Sequence, residues 1–206
     1  SLTDERQQEY ENVRAMATDP QRGELRPPRT RIEDFADRSG DDVVAAPVVP
    51  LHLMSDEAGN FPLTSLNNWE REVVLAELKR SDVRGWYRNP SRAAVDSLGV
   101  AYRDETTGNW RSMHPDLIFF NEIGGRIVAS ILDPHGHHLA DASMKLEALA
   151  AFAKVYGDAF HRIEAISKVD NVMRVLDMKR EAVREAVLYR GEKAVDLYRS
   201  ELGVDY

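Results

Sequence analysis

The clearest hydrophobic pattern lies between residues 117 and 132. Leu117-Ile118-Phe119-Phe120 and Ile127-Val128-Ala129-Ser130-Ile131-Leu132 are short apolar runs on either side of Gly124-Gly125. Two such runs around a glycine pair predict a β-hairpin closed by a two-residue turn. The second run is apolar on both faces instead of alternating, which predicts a central strand covered on both sides. Helices are expected to cover it. Residues 140–155 supply one, with Met144, Leu146, Leu149, Ala150 and Phe152. Another begins at Asn67, where Glu70 three residues later makes a capping box and Trp69, Val73 and Ala76 recur at helical spacing to about Arg80. Glu70 and Glu77 then stand on neighbouring turns of one side.

Around this centre the pattern is weaker. Val43, Val44, Val48, Val49, Leu51 and Leu53 give β-branched density, but Pro47 and Pro50 demote the segment to an edge strand or extended entry. Residues 85–90 predict a loop or short strand, and further strands are expected near 100–103 and 160–166. Before residue 43, Pro20, Pro27 and Pro28 break any helix, so residues 1–42 form an arm or linker. From Asp170 onward, Val172, Val175, Leu176, Val183, Val187 and Leu188 among balanced charges predict helical packaging or a partner-facing helix. The expectation is an α/β core over 43–168, a mixed sheet flanked by helices, with a C-terminal helical extension over 169–206.

Composition narrows the chemistry. The 206 residues carry 35 acidic against 27 basic side chains, a formal charge of -8, so any nucleic-acid surface must be a local patch. The chain has no cysteine, which excludes disulfides, thiolate metal sites and thiol catalysis. No apolar run approaches the roughly 20 residues of a membrane span. Nothing at the N-terminus has the basic-then-apolar form of a signal peptide, and the expected location is the cytoplasm.

The hairpin itself points to a site. With Gly124-Gly125 as the turn, cross-strand partners have numbers that sum to a constant, and Asp116 falls opposite Asp133. Opposed residues share a face with Cβ atoms about 4.5–5.5 Å apart. Two carboxylates so placed repel, and a divalent cation such as Mg²⁺, which takes one or two carboxylates, waters and phosphate oxygens, removes the penalty. The plainer reading is that both aspartates end strands at the solvent edge. His135, two residues beyond Asp133, shares its face and falls opposite His114. Four of the six histidines lie between His114 and His138, but their spacing lacks the i, i+4 pattern of a helical zinc site. Lys145, one turn into the following helix and i+4 from Asp141, either makes a solvated ion pair there or points back toward the carboxylates.

Pro115-Asp116, the apolar hairpin and Asp133-Pro134-His135-Gly136 together resemble the PD-(D/E)XK nuclease superfamily, in which an Asp and a (D/E)-x-K signature lie on adjacent strands of a small mixed sheet flanked by helices. With Trp86-Tyr87-Arg88-Asn89-Pro90 and the stretch from Gly136 to Lys145, the likeness extends to the nuclease-like domain attached to DEAD/DEAH-type helicases of type III restriction systems. It covers about residues 48–166. The resemblance implies a restriction-endonuclease-like fold and Mg²⁺- or Mn²⁺-dependent hydrolysis of DNA. Asp116, Asp133 and the Pro134 carbonyl would be ligands, and Glu70 an additional ligand, unless Glu70 only caps its helix. It also implies a helicase or ATPase module as partner, which must lie outside this chain because no G-x-x-x-x-G-K-[ST] loop is present. His135 stands where the family has a catalytic lysine, so His135 or Lys145 would assist the reaction. The alternative is a nuclease-like fold that no longer cuts and binds DNA or docks a partner. Trp86, Tyr87 and Arg88, with Arg84 and Arg92, would form the stacking and phosphate-contacting surface, or else the aromatics are core and the arginines a solvated rim. Residues 66–92 carry six basic against four acidic side chains.

Overall fold

The computed structural model describes residues 35–39, 42–53, 58–94, 96–103, 108–137, 142–189 and 193–206. Most of the expected N-terminal arm, together with His138 and Asp141, lies outside these residues. The elements in chain order are β1 (Ala36–Ser39), β2 (Asp42–Ala45), β3 (Val48–Val49), β4 (Phe61–Pro62), α1 (Asn68–Glu77), β5 (Val83–Arg88), β6 (Val100–Arg103), β7 (Trp110–Met113), β8 (Leu117–Ile123), β9 (Arg126–Pro134), α2 (Ala142–Tyr156), β10 (Phe160–Val169), β11 (Val172–Asp177), α3 (Glu181–Tyr189), α4 (Ala194–Arg199) and β12 (Val204–Asp205).

Six strands make one mixed sheet in the order β12-β11-β10-β9-β8-β5. All neighbours are antiparallel except β9 and β10, which run parallel. A parallel neighbour needs a crossover, and α2 provides it. The expected hairpin is present: β8 and β9 pair from Ile123↔Arg126 to Leu117↔Leu132, with Gly124 and Gly125 at φ 59° and 75°. Both turn positions require positive φ, which glycine adopts without steric cost.

Two apolar cores cover the two faces. Ile131, Ala165 and Leu176 pack with α2, α3 and α4, whereas Leu132, Leu117, Phe119 and Ile166 pack with Val73 and Val74 of α1. Successive residues of β9 therefore enter opposite cores, the reason that the strand lacks polar alternation. Among the described residues no helix is long and apolar enough to cross a membrane.

The segment after residue 169 departs from expectation. Asp170 and Asn171 take positive φ of 52° and 65°, a two-residue turn that pairs Val172–Asp177 with β10. Val172, Val175 and Leu176 therefore belong to a strand, and only α3 and α4 are helical. Since β11 and β12 extend the sheet and both helices seal one core, residues 169–206 are part of the domain. At the other end, β1 pairs with β2 across the expected boundary at residue 43.

Candidate metal and nucleic-acid site

The site gathers at the carboxyl ends of the parallel strands β9 and β10. The backbone N–H of Asp116, just before β8, donates to Asp133 Oδ1 at 3.0 Å, so the opposed pair deduced from the turn is formed. Asn89, which follows β5, fastens the Pro115-Asp116 bend. Its N–H donates to the Asp116 carbonyl at 2.9 Å, and its side-chain amide donates to the carbonyls of Pro115 (2.8 Å) and Leu98 (2.9 Å) while accepting from Leu98 N–H. Asn89 is buried. Its only sequence cue was its place before Pro90.

Asp133 is 3% exposed and His135 is 8% exposed. His135 Nδ1 lies 2.8 Å from Asp133 Oδ2. Burial opposes a charged imidazole, but the hydrogen bond and charge of Asp133 outweigh it, and His135 titrates above its ordinary value; the positive charge of Lys145 acts in the opposite sense. Lys145 is thus close enough to be felt, as its place one turn into α2 suggested. The Asp116 carboxyl is pushed up to about 7, first by burial, then by the charges of Asp133 and Glu70, against the pull of Arg88 and His135.

Glu70 reaches this group through charge alone. Its carboxylate accepts from Arg88 Nη2 at 2.9 Å and Nε at 3.3 Å and from Asn67 N–H at 2.9 Å, completing the capping box. Arg88 pairs with Leu117, which faces the α1 core, so the Glu70–Arg88 pair lies on the face away from Asp133. Both Glu70 oxygens are engaged in capping and ion pairing. Pro134 ends β9 opposite Ile166. His114 does not continue the register: it turns to Ser97 Oγ (2.7 Å) and Ser112 Oγ (3.1 Å). His137 bonds Ser167 Oγ at 2.9 Å.

The expected stacking surface is not formed. Trp86 is fully buried, because residues 51–53 run alongside β5: Leu53 N–H donates to the Trp86 carbonyl at 2.7 Å, Trp86 N–H to the Leu51 carbonyl at 2.9 Å, and indole Nε1 to the Pro50 carbonyl at 2.8 Å. Tyr87 is half-buried and donates to the Asp96 carbonyl at 3.0 Å. Arg84 pairs with Glu122 at 2.7 Å, and Arg92 is exposed. Trp86 is core; the exposed tryptophan is Trp110, on β7.

Among the described residues no group of three or more histidine or acidic side chains is gathered to hold a metal ion. Asp116 and Asp133 are a pair, and two carboxylates completed by waters fit Mg²⁺ or Mn²⁺ better than zinc. The family model described as the YagJ family matches residues 50–206. The chain belongs to the YagJ family. It is also 41% identical to Protein YagJ of Escherichia coli (strain K12), over all of this chain and 83% of that protein. No solved structure matches. The YagJ match spans Asp116, Asp133, His135 and Lys145, and it continues to the end of β12, in keeping with a C-terminal segment integral to the sheet.

Proposed function

We propose that this YagJ-family chain is a metal-dependent phosphodiester hydrolase of the PD-(D/E)XK type that cuts DNA. The reading rests on one observation, the register that brings Asp116 and Asp133 together on adjacent strands of a helix-flanked mixed sheet. The order α1-β5-β8-β9-α2-β10 supports a restriction-endonuclease-like arrangement. Asp116 and Asp133 would hold the cation, which supplies Lewis-acid polarisation of a phosphate oxygen and charge neutralisation. His135, held by Asp133 through Nδ1, would be the residue that takes or gives a proton. Lys145 contributes the permanent positive charge that the family lysine supplies from the position His135 occupies. The DNA, a helicase or ATPase module as partner and a cytoplasmic setting belong to this same proposal.

A second reading, a non-cutting module that binds DNA or docks a partner, draws support from Asp133, whose two oxygens are both engaged. The deciding experiment is cleavage of supercoiled, linear and single-stranded DNA with Mg²⁺ or Mn²⁺. Asp116→Ala and Asp133→Ala are each expected to lower cleavage at least about 100-fold and to abolish metal-induced thermal stabilisation, which requires binding to the folded state. Equal metal shifts in wild type and both variants would sink the metal site, and metal binding without cleavage would favour the second reading.

A further inference from the structure

We infer that the hydroxyl of Tyr198, carried on the C-terminal helix α4, positions the Asp133–His135 pair from beneath. Tyr198 is fully buried in the core that contains Ile131 and Ala165. Asp133 lies two residues beyond Ile131 and is paired with Ala165, so strand alternation directs its side chain to the face that Tyr198 covers. The charge of Asp133 is felt at the tyrosine hydroxyl, which burial and that charge together hold well above its ordinary pKa.

On this face the buried Tyr198 Oη and His135 Nε2 make no hydrogen bond among the described residues, and the buried Asp133 Oδ2 has only its 2.8 Å ion-pair contact with His135 Nδ1. They are a complementary set, with a hydroxyl that can donate or accept, a ring nitrogen and a carboxylate oxygen. A buried hydroxyl with nothing to bond is a cost to the fold, and phenylalanine would fill the same core space without it. The tyrosine is also held from moving away. Arg174 donates to the carbonyls of Tyr198 (3.1 Å), Ser200 (3.3 Å) and Gly203, and a Cβ at Gly203 would collide with the Tyr198 carbonyl. The hydroxyl therefore meets the pair through one bound water, and fixes the orientation of Asp133 toward Asp116.

The consequence for metal binding rests on the hydrolase reading; the contact with His135 does not. Tyr198→Phe in the full chain is expected to stay folded without metal and to melt modestly below the wild type, because it strips a hydrogen-bonding partner from the pair. Its Mn²⁺ affinity by titration calorimetry is expected to fall about 10- to 100-fold, the range for loss of a group that orients a ligand. The ¹⁵N resonances of the His135 ring should shift in Tyr198→Phe but not in the control Tyr189→Phe, whose hydroxyl is exposed on α3. Unshifted ring resonances overturn the proposal whether or not Mn²⁺ binds, as does wild-type Mn²⁺ affinity in Tyr198→Phe. Shifted resonances in a chain that binds no Mn²⁺ at all would support the contact and sink the metal reading alone.

Discussion

At His52 a neutral imidazole is built into the fold. Its Nε2 accepts the Arg88 N–H at 3.0 Å, its ring packs on Phe61 and Trp86 with centroids 4.3 and 4.6 Å away, and burial followed by the Arg88 charge lowers its pKa to about 3. A base depressed in this way contributes stability that is complete above its unfolded pKa of roughly 6.5 and is lost as pH falls toward the folded value. The His52 contribution to unfolding in urea should therefore fall by about 2 kcal/mol between pH 6.5 and pH 5, at ~1.4 kcal/mol per pH unit and opposite in sign to that of the raised Asp116 carboxyl, so it is read as the difference in slope between wild type and His52→Gln. The same slope in both proteins would show that His52 is protonated in the fold. Nothing adjacent in sequence marks His52, because its contacts come from residues 61 and 86–88. Asp116 and Asp133 were legible for the opposite reason: a two-glycine turn fixes the register, and arithmetic does the rest. Their burial was not legible, nor was Tyr198, whose hydroxyl meets the site only through the packing of α4.

Helix α1 shows the same division among elements. Asn67 and Glu70 make the full capping box that their spacing predicts, and the i, i+7 pair Glu70 and Glu77 does share one side. That side is buried, which the charges alone would not suggest, because the sheet supplies an arginine to each. Arg162 on β10 grips Glu77 with two hydrogen bonds of 2.7 and 2.9 Å, and the Tyr206 hydroxyl donates to the same carboxylate at 2.7 Å. Glu77 is 3% exposed, so Glu77→Ala would leave Arg162 with only Glu164, 3.0 Å away, as a carboxylate partner. A loss of about 3–5 kcal/mol is expected from denaturant titration, and a loss below ~1 kcal/mol would mark the pair as solvated. The misread element, β11, has a physical cause. Val172, Val175, Leu176, Val183 and Val187 fit a helical period, and the Asp170-Asn171 turn that breaks it uses residues that take positive φ less readily than the glycines of the β8–β9 turn. Trp86 was ambiguous for a different reason: an edge strand exposes its aromatics unless another segment covers it, and residues 51–53 do so.

Over the whole molecule, the sheet order divides the chain by depth. Strands β8, β9, β10 and β11 are interior, the last flanked on one side only by the two-residue β12, while β1–β2 and β6–β7 stand as separate two-stranded sheets of a kind that is marginal alone. Native-state hydrogen exchange should accordingly find the slowest amides in β8–β10 and the fastest strand amides in β1–β2 and β6–β7; uniform protection across all strands would contradict that order. The carboxylate pair thus sits at the ends of interior strands, on the face that the last helix covers. The opposite end of the same hairpin offers something different. Among the described residues nothing lies within 4 Å of where a Cβ would sit at Gly124 or Gly125, and seven residues of β9 lie between the turn and Asp133, a span of roughly 26 Å at strand rise. A short insertion between the two glycines would carry a cysteine in a chain that has none. That gives a single thiol for a dye or surface tether at a known distance from the carboxylates.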